Sequence, residues 1–288
     1  MSEKVVVIGS TGFVGQAIMK ELKATNIESV GFSRKDCDLL KQDEVLQKIS
    51  PELKNATVVY TAGKHRQYGD TLDFYANNSA AVMNVLYAAE KNLPKRIVFL
   101  STIEIYGSPK KNETITESTN FSPTYLYAAG KISHECLIRA WAHKHNVSCT
   151  MLRLPGIYGI GDNQTSIIST LFSAGMNDTV FNLHTDGSEL RDYILVEDLV
   201  SCIIKIISTK NVPEVLNMGS GISISINHII EQVGHVLGKS IKVQPRNPSL
   251  PGFDIVIDNS LLRSTLNDLT FNSVEQGIKL YADSLEKV

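Results

Sequence analysis

Four tyrosine–lysine pairs in this chain of 288 residues have a spacing that suits proton transfer. In each pair the lysine follows the tyrosine by four positions, so both side chains share one face if the segment is helical. A neighbouring ammonium, together with a cationic nicotinamide ring, lowers the pKa of a tyrosine from its usual value of about 10. Such a phenol can exchange a proton with a hydroxyl or carbonyl while hydride moves to or from a cofactor. The pairs are Tyr60/Lys64, Tyr87/Lys91, Tyr106/Lys110 and Tyr127/Lys131.

The surroundings of the pairs separate one from the other three. The pair at Tyr60 leaves a strand pattern into a glycine turn, and the pair at Tyr87 ends a helical pattern, where a lysine caps the carboxyl end. The pair at Tyr106 is interrupted by Gly107 and Pro109. The fourth pair begins a long helical pattern, which makes Tyr127 the predicted proton donor.

The strand pattern before this helix ends in two hydroxyls, Ser101 and Thr102. Ligands of open α/β sheets bind at the carboxyl edge of the strands. We therefore expect Thr102 to hold the substrate oxygen that Tyr127 protonates, and we predict Thr102, Tyr127 and Lys131 as the catalytic residues. Ser101 and Thr102 also have a simpler interpretation, as turn residues that bond to their own backbone.

A glycine-rich segment follows the first strand pattern and opens the first helical pattern. Glycines allow a tight turn in which backbone N–H groups approach a pyrophosphate, and the helix amino end adds partial positive charge. The spacing is GxxGxxG, and its position between a strand and a helix predicts dinucleotide binding. The predicted contacts in this loop are Gly9, Thr11, Gly12, Phe13, Val14 and Gly15.

The end of the second strand pattern bears on the choice of dinucleotide. An NAD site usually places a carboxylate there for the ribose 2′-hydroxyl, whereas this chain has Ser33, Arg34 and Lys35. The two cations suit a 2′-phosphate and the Ser33 hydroxyl suits a hydrogen bond to it, so the sequence favours NADP, with NAD as the alternative. Asp38 and Leu39 are expected where the chain passes the adenine ring.

Strand and helix patterns alternate through the first two-thirds of the chain, which predicts a doubly wound, parallel α/β sheet. We expect a Rossmann domain over residues 1–155, to which the chain returns around 192–217, and a smaller α/β substrate-binding part over 156–288. The strand patterns are Lys4–Gly9, Ser29–Ser33, Thr57–Ala62, Arg96–Thr102, Ser148–Leu154 and Tyr193–Val196. The helical patterns are Phe13–Ala24, Asp43–Ile49, Tyr75–Lys91, Tyr125–His145, Thr165–Ala174, Glu197–Ile207 and Ser273–Leu285.

The composition excludes several classes of protein. A net charge of −2 argues against a protein built to bind nucleic acid or an anionic membrane. No segment has the length and apolarity of a membrane span, and the amino terminus lacks a signal-peptide layout. The four cysteines are far apart, which disfavours disulfides and zinc and favours the cytoplasm.

These motifs together resemble an extended short-chain dehydrogenase/reductase of the NAD-dependent epimerase/dehydratase type, whose members mostly act on nucleotide-activated sugars. The resemblance runs nearly from end to end. It rests on the glycine loop, Thr61-Ala62-Gly63, the helix from Asn78 to Asn84, Ser101–Gly107, Tyr127/Lys131, Arg153–Gly159, Asp186–Tyr193 and Asn217–Gly221.

The resemblance assigns further roles. It implies that Thr61, Ala62 and Gly63 contact the cofactor, that Pro155 and Ile157 pass the nicotinamide, and that Lys131 binds the nicotinamide ribose. By the same resemblance Arg191 contacts the substrate diphosphate. It also implies a homodimer formed through the helices at Tyr75–Lys91 and Tyr125–His145, where alanines allow close packing.

Departures from the family pattern narrow the chemistry. Dehydratases carry Asp-Glu directly after the catalytic threonine, whereas this chain has Ile103-Glu104, so sugar dehydration is disfavoured. Glu104 is either a substrate-side acid–base group or, as we expect, a carboxylate that solvates the loop. The leading interpretation is reduction of a nucleotide-bound 4-keto sugar by NADPH. The alternative is a 4-epimerase that retains NAD, and a non-catalytic dinucleotide sensor is disfavoured by the intact catalytic set.

Overall fold

The computed structural model describes residues 4–109, 113–162, 166–246 and 252–285. The chain forms two compact units, each assembled from several segments. The first unit comprises Met1–Gly107, Phe121–Arg153 and Val200–Leu216, and the second comprises Ser108–Asn120, Leu154–Leu199 and Asn217–Val288.

The strands are β1 (Val5–Ile8), β2 (Ser29–Phe32), β3 (Thr57–Tyr60), β4 (Arg96–Thr102), β5 (Thr114–Ile115), β6 (Ser148–Leu154), β7 (Gly156–Tyr158), β8 (Phe181–Leu183), β9 (Leu190–Leu195), β10 (Val215–Asn217), β11 (Ser223–Ser225), β12 (Val243–Pro245) and β13 (Val256–Ile257). The helices are α1 (Phe13–Ala24), α2 (Gln42–Lys48), α3 (Ser50–Leu53), α4 (Leu72–Lys91), α5 (Leu126–His145), α6 (Ile167–Met176), α7 (Val196–Ser208), α8 (Ile226–Leu237), α9 (Ser260–Thr265) and α10 (Val274–Leu285).

A six-stranded parallel sheet with the order β10-β6-β4-β3-β1-β2 forms the centre of the first unit. All four residues of β1 and of β3 are buried, because their apolar side chains are covered on both faces of the sheet. The strand order reverses at β1, which pairs with β2 on one side and with β3 on the other. Ligands of doubly wound sheets bind at this reversal, so the fold places the glycine loop after β1 where a dinucleotide is expected.

Helices α4 and α5 carry most of the side chains that bear on the candidate site. Thr71 caps α4 by accepting a hydrogen bond from the backbone N–H of Phe74 at 3.3 Å. Helix α5 ends at Asn146, which adopts the left-handed conformation that closes many helices. Ala88 and Ala89 of α4 and Ile138 and Trp141 of α5 are buried in the core of the first unit.

The second unit contains three small sheets, ordered β11-β9-β7, β12-β8 and β13-β5. Its core is formed by α6, α8 and α10, with Phe172 against the edge of the Tyr281 ring at 5.2 Å between ring centroids. Helix α8 is capped by Ser225, whose hydroxyl accepts from the N–H of His228, and it ends at Gly238 with φ 66°. No helix among the described residues is long and apolar enough to cross a membrane.

The predicted elements need small corrections at their ends. The strands stop before Gly9, Ser33 and Thr61, because these residues turn away to form the loops at the sheet edge. Strand β9 begins at Leu190, three residues before the predicted strand, because Leu190, Arg191 and Asp192 pair with the antiparallel strand β11. Helix α6 extends to Met176, and the predicted start of this helix at Thr165 lies outside the described residues.

Candidate active site

The glycine loop after β1 is a turn into which side chains do not fit. Gly9 has φ 97°, and a Cβ added there would lie 2.6 Å from Thr61 Oγ1. A Cβ on Gly15 would lie 2.1 Å from the Gly9 carbonyl oxygen. These glycines are therefore required by close packing of the loop against α1 and against the start of the loop after β3.

The amino end of α1 suits a phosphate. Gly12 is the N-cap residue, no side chain caps the helix, and the first turn contains no acidic residue. The first backbone N–H groups of a helix lack intrahelical partners and carry partial positive charge. The residues present thus fit a dinucleotide pyrophosphate, with Thr11, Phe13 and Val14 on the same turn.

The end of β2 differs from the expectation for NADP. The Ser33 hydroxyl donates to Asp36 Oδ2 at 2.6 Å, and the Ser33 N–H donates to the same oxygen at 2.8 Å. The Ser33 hydroxyl has a single proton, so the hydrogen bond predicted toward a 2′-phosphate is already given to Asp36. These two hydrogen bonds lower the pKa of Asp36, which keeps a negative charge at this strand end. Arg34 and Lys35 are exposed.

Two asparagines of α4 hold loops at the sheet edge. Asn78 accepts from the Lys64 N–H at 2.9 Å and donates to the Lys64 carbonyl at 3.0 Å, which fixes the chain just after Gly63. Asn84 donates to the Leu39 carbonyl at 2.8 Å. Asp38 is fixed beside it, because its carboxylate accepts from the Leu40 N–H at 3.1 Å.

Thr61 and Ala62 follow β3 and adjoin the glycine loop. The Thr61 hydroxyl donates to the carbonyls of Ile8 and Gly9, at 3.0 and 3.1 Å. Gly63 has φ 143°, a conformation that L side chains rarely adopt. The segment predicted to contact the cofactor is thus packed directly against the glycine loop.

Lys131 is anchored at the carboxyl end of β4. Its ammonium donates to the Leu100 carbonyl at 2.6 Å and lies 4.6 Å from the centroid of the Phe99 ring. The same ammonium is 5.8 Å from the centroid of the Tyr127 ring. The structure therefore brings Lys131 both to the predicted tyrosine and to the strand that ends at Thr102.

Thr102 is buried, and its hydroxyl oxygen accepts from the Glu104 N–H at 3.2 Å. Ser101 is buried beside it, and its hydroxyl has no hydrogen-bond partner among the described residues. Both hydroxyls thus lie at the carboxyl edge of β4, and the turn interpretation holds for Thr102, which bonds to the backbone of the following 3₁₀ turn.

The pKa of Tyr127 departs from the expected direction. Burial, and to a smaller extent the carboxylate of Glu104, raise the pKa of Tyr127, while Arg66 opposes the rise. Burial also lowers the pKa of Lys131 to about 8, against the attraction of Glu135. The shift that the chain's own groups produce thus raises the pKa of Tyr127, and its lowering by Lys131 together with a nicotinamide ring stays a prediction.

Glu104 is not the solvent-exposed loop carboxylate that the sequence predicted. Its side chain is 23% exposed, and one carboxylate oxygen lies 2.8 Å from Arg66 Nε. Burial raises the pKa of Glu104, and the Arg66 charge opposes that rise. His65, next to Arg66, lies against the Tyr127 ring with 4.8 Å between centroids. The residues after Gly63 thus cover Tyr127, a contact that sequence reasoning missed.

A cavity opens beside these residues at the carboxyl ends of β3 and β4. Its lining includes Gly63, Asn78, Phe99, Tyr127, Lys131 and His134. His134 is buried and shares a hydrogen bond of 2.9 Å with the Ser79 hydroxyl, and burial lowers the pKa of His134 to about 4. The cavity therefore contains the predicted catalytic tyrosine and lysine and a neutral histidine.

Three predicted site residues lie in the second unit. Pro155 is buried, Ile157 is in β7, and Arg191 is in β9. The Arg191 guanidinium donates to the carbonyls of Leu190 and Phe253 and stacks over the Phe253 ring at 4.9 Å. These bonds fix the guanidinium, and its role toward a substrate diphosphate stays a prediction.

The tyrosines of the other three pairs lie in the core, on a helix surface or against a buried arginine. Tyr60 is buried and Tyr87 is 47% exposed on α4. The Tyr106 hydroxyl accepts from Arg153 Nη1 at 2.7 Å, and this buried arginine also pairs with Glu135 at 2.8 Å. Lys110 lies outside the described residues. Among the residues that the structure describes, no group of three or more potential ligands suits a metal ion.

Sequence reasoning also missed Asp70 and the role of Asp36. Asp36 is four residues beyond the end of β2, and the usual carboxylate position holds Ser33. Asp70 lies 56 and 57 positions before the two residues whose N–H groups it binds. An Asp three residues after a serine is a turn signal that was available for Asp36, whereas no local signal points to Asp70.

A doubly wound parallel sheet with a glycine loop where the strand order reverses is the architecture of dinucleotide-binding proteins. The chain belongs to the NAD dependent epimerase/dehydratase family, whose family model matches residues 5–219. Its curated relatives in this family are enzymes, and this chain is an enzyme of the same family.

Two of these relatives cover nearly the whole chain. The dTDP-glucose 4,6-dehydratase of Neisseria meningitidis is 23% identical over 96% of this chain and 91% of its own length. The UDP-glucose 4-epimerase of Lactobacillus helveticus is 28% identical over 91% of each chain. The crystal structure of the Thermus thermophilus UDP-glucose 4-epimerase in complex with NAD has a TM-score of 0.87 at 20% identity, covering 98% of this chain and 99% of that one. This last similarity shows that the fold is shared.

Proposed function

We propose that this enzyme is an NAD-dependent 4-epimerase of a nucleotide-activated sugar. The family and the two curated relatives support nucleotide-sugar chemistry, and an epimerase is among the most similar relatives. The Asp36 carboxylate at the end of β2 is the observation that carries the choice of NAD, since its charge repels a 2′-phosphate. An enzyme that recycles its own cofactor gains nothing from NADP.

Ile103 supports an epimerase over a dehydratase. By the family resemblance, the position after the catalytic threonine holds an aspartate in dehydratases, and here it holds a buried isoleucine. An isoleucine cannot protonate a leaving hydroxyl. Sugar dehydration therefore lacks its acid in this chain, whereas oxidation and reduction at C4 do not require one there.

The predicted residues divide the chemistry as follows. Thr102 hydrogen-bonds to the oxygen on C4, and Tyr127 takes up and returns the proton of that oxygen. Lys131, held by the Leu100 carbonyl, keeps its positive charge beside the phenol. When bound, NAD would supply the acceptor and donor of the C4 hydride. The glycine loop and the segment Thr61–Gly63 would hold the dinucleotide, and Arg191 would hold the substrate diphosphate.

The raised pKa of Tyr127 fits a cofactor that carries positive charge. The chain's own groups leave the phenol protonated at neutral pH. A cationic nicotinamide beside the phenol favours the phenolate. Tyr127 then becomes a base only when the oxidised cofactor is present, which is when the C4 hydroxyl must be deprotonated.

A second candidate function rests on Arg34 and Lys35, which are exposed after β2 and suit a 2′-phosphate. They favour a reductase that converts a nucleotide-bound 4-keto sugar to the alcohol with NADPH. Such an enzyme must exchange its cofactor at each turnover, whereas a 4-epimerase retains it.

One experiment separates the two candidates. The purified enzyme is incubated with UDP-galactose, UDP-glucose and their N-acetylated forms, with NAD or NADP or without added cofactor, and the sugars are separated afterwards. In a parallel reaction the enzyme is given nucleotide-bound 4-keto sugars with NADPH or NADH, and the absorbance at 340 nm is followed. We expect interconversion of one 4-epimer pair that proceeds on the retained cofactor or on added NAD, and that NADP does not restore once the enzyme has been freed of its cofactor. Consumption of NADPH by a 4-keto sugar nucleotide, with no interconversion, would establish the reductase and overturn the epimerase.

The chain is also proposed to form a homodimer in the cytoplasm. Met83 and Tyr87 of α4 and Leu137 of α5 are 42%, 47% and 38% exposed on two helices that pack against each other. This apolar face suits a second copy of the same face. The cysteines Cys37, Cys136, Cys149 and Cys202 are free thiols, which suits a reducing compartment.

A further inference from the structure

Helix α5, which carries Tyr127 and Lys131, is capped from outside its own sequence. Its N-cap residue Tyr125 makes no capping hydrogen bond, and its first turn contains no acidic residue. Asp70 supplies the cap instead. Its carboxylate accepts from the Tyr127 N–H at 2.8 Å and from the Leu126 N–H at 3.1 Å. The backbone of the predicted proton donor is therefore bound directly by this carboxylate.

The segment that contains Asp70 is fixed at its other end as well. Asn78 binds both the N–H and the carbonyl of Lys64. Arg66 pairs with Glu104, whose own N–H donates to the Thr102 hydroxyl. A continuous set of contacts thus runs from the Thr102 turn through the segment 64–70 to the first turn of α5.

We propose that Asp70 is a positioning residue, which sets the place of Tyr127 relative to Thr102 by tying the first turn of α5 to the segment 64–70. The inference rests on the proposed function for its effect on turnover. A chemical role for Asp70 is not required, because both of its carboxylate oxygens are occupied by backbone N–H groups of α5. The carboxylate also complements the partial positive charge of the helix amino end.

A positioning role and a purely stabilising cap predict different effects on kcat when Asp70 is replaced. A shift of about 1 Å in a reacting group lowers a rate by roughly 100-fold, while the binding of distant parts of the substrate is kept. Loss of Asp70 should therefore lower kcat and leave KM almost unchanged. A cap that only stabilises the fold would alter the melting temperature and leave kcat intact in the folded enzyme.

The test compares Asp70→Asn with Asp73→Asn, a matched control. Asp73 lies three residues further on, exposed in the first turn of α4, and among the described residues no hydrogen bond or ion pair joins its side chain to α5. We expect Asp70→Asn to lower kcat for UDP-galactose by about 10- to 100-fold with KM kept, and Asp73→Asn to behave as the wild type. An equal kcat for Asp70→Asn and wild type would overturn the inference. Asp70→Ala, checked for folding by circular dichroism, should be at least as damaging.

Two further measurements need no substrate. Amide exchange of Leu126 and Tyr127 should speed up in Asp70→Asn and stay unchanged in Asp73→Asn. Ionisation of Tyr127, measured at 295 nm against a Tyr127→Phe background, should shift from its raised value toward an ordinary tyrosine, near pH 10, because the phenol is no longer held in its buried place. If the wild type converts no sugar nucleotide, the proposed function fails, and these two measurements alone decide the positioning role. Unchanged exchange and unchanged ionisation would refute it.

Discussion

Replacement of Tyr127 by phenylalanine removes one oxygen and leaves the ring. The ring's contact with His65, at 4.8 Å between centroids, and its distance of 5.8 Å from the Lys131 ammonium do not depend on that oxygen. We therefore expect the free energy of unfolding to change by less than about 1 kcal/mol. A positioned acid–base group contributes about 10²- to 10⁴-fold in rate, so kcat should fall by that factor, with NAD binding retained.

Tyr106→Phe is the matched control because it removes the same atom from another tyrosine of the same spacing. The Tyr106 hydroxyl accepts a hydrogen bond of 2.7 Å from the buried Arg153. Loss of a partner by a buried charged group costs about 1–3 kcal/mol. This variant should therefore lose stability, measured by urea unfolding, while the folded enzyme keeps its kcat. Tyr60→Phe and Tyr87→Phe should also keep kcat.

Turnover is followed with UDP-galactose at a temperature where every variant is folded. The two phenylalanine variants should then separate cleanly: one loses rate and keeps stability, and the other loses stability and keeps rate. Near-normal turnover in Tyr127→Phe, or a loss of kcat in a fully folded Tyr106→Phe, would refute the choice of Tyr127 as the proton donor.

Four more outcomes are expected. Arg191→Ala should raise KM for the sugar nucleotide and leave NAD affinity unchanged, and a loss of NAD affinity would contradict its predicted place on the substrate diphosphate. Arg34→Ala should weaken whatever NADP binding exists by about 10- to 100-fold and spare NAD, measured by titration, and a wild type that binds NADP more tightly than NAD would contradict the NAD proposal. The pKa of Lys131 is about 8 in the folded protein and 10.5 in its ordinary state. Between these pH values the unfolded state binds more protons than the folded state. The free energy of unfolding should therefore rise with pH in this range, by at most about 1.4 kcal/mol per pH unit. Lys131→Met should remove that rise in urea titrations at pH 8 to 10, and an unchanged slope would contradict it. Leu137→Glu should convert the dimer to a monomer in sedimentation experiments, whereas a wild type that is already monomeric would refute the α4/α5 interface.

The fold was predictable because parallel strands and their covering helices leave local patterns. The mainly apolar runs at Val5–Ile8 and Arg96–Thr102 predict buried strands. The glycine loop comes directly after the first of these runs in the sequence, so its place at the end of β1 was also predictable. The choice among four tyrosines was also local, since it used only the pattern around each one. Both predictions used only residues that lie within a few positions of the strand or helix in question.

Effects of burial and of distant neighbours were not predictable in this way. The spacing of Tyr127 and Lys131 placed the two side chains close together, with 5.8 Å from the ammonium to the ring centroid, yet burial raises the phenol's pKa. The same spacing rule says nothing about Asp70, which reaches Tyr127 from the far end of a loop. Spacing therefore identifies which groups meet, and the surrounding protein decides their protonation.

Asn78 and Asn84 of α4 show which part of a contact local sequence predicts and which part depends on the fold. They are six residues apart, and six residues rotate a helix by about 600°, so their side chains point about 120° apart. Asn78 therefore reaches the loop after β3, and Asn84 reaches Leu39 in the loop after β2. The spacing fixes this divergence, but the identity of each partner follows only from the strand order, because β2 and β3 flank β1 on opposite sides. One helix thus holds the loops on both sides of the glycine turn.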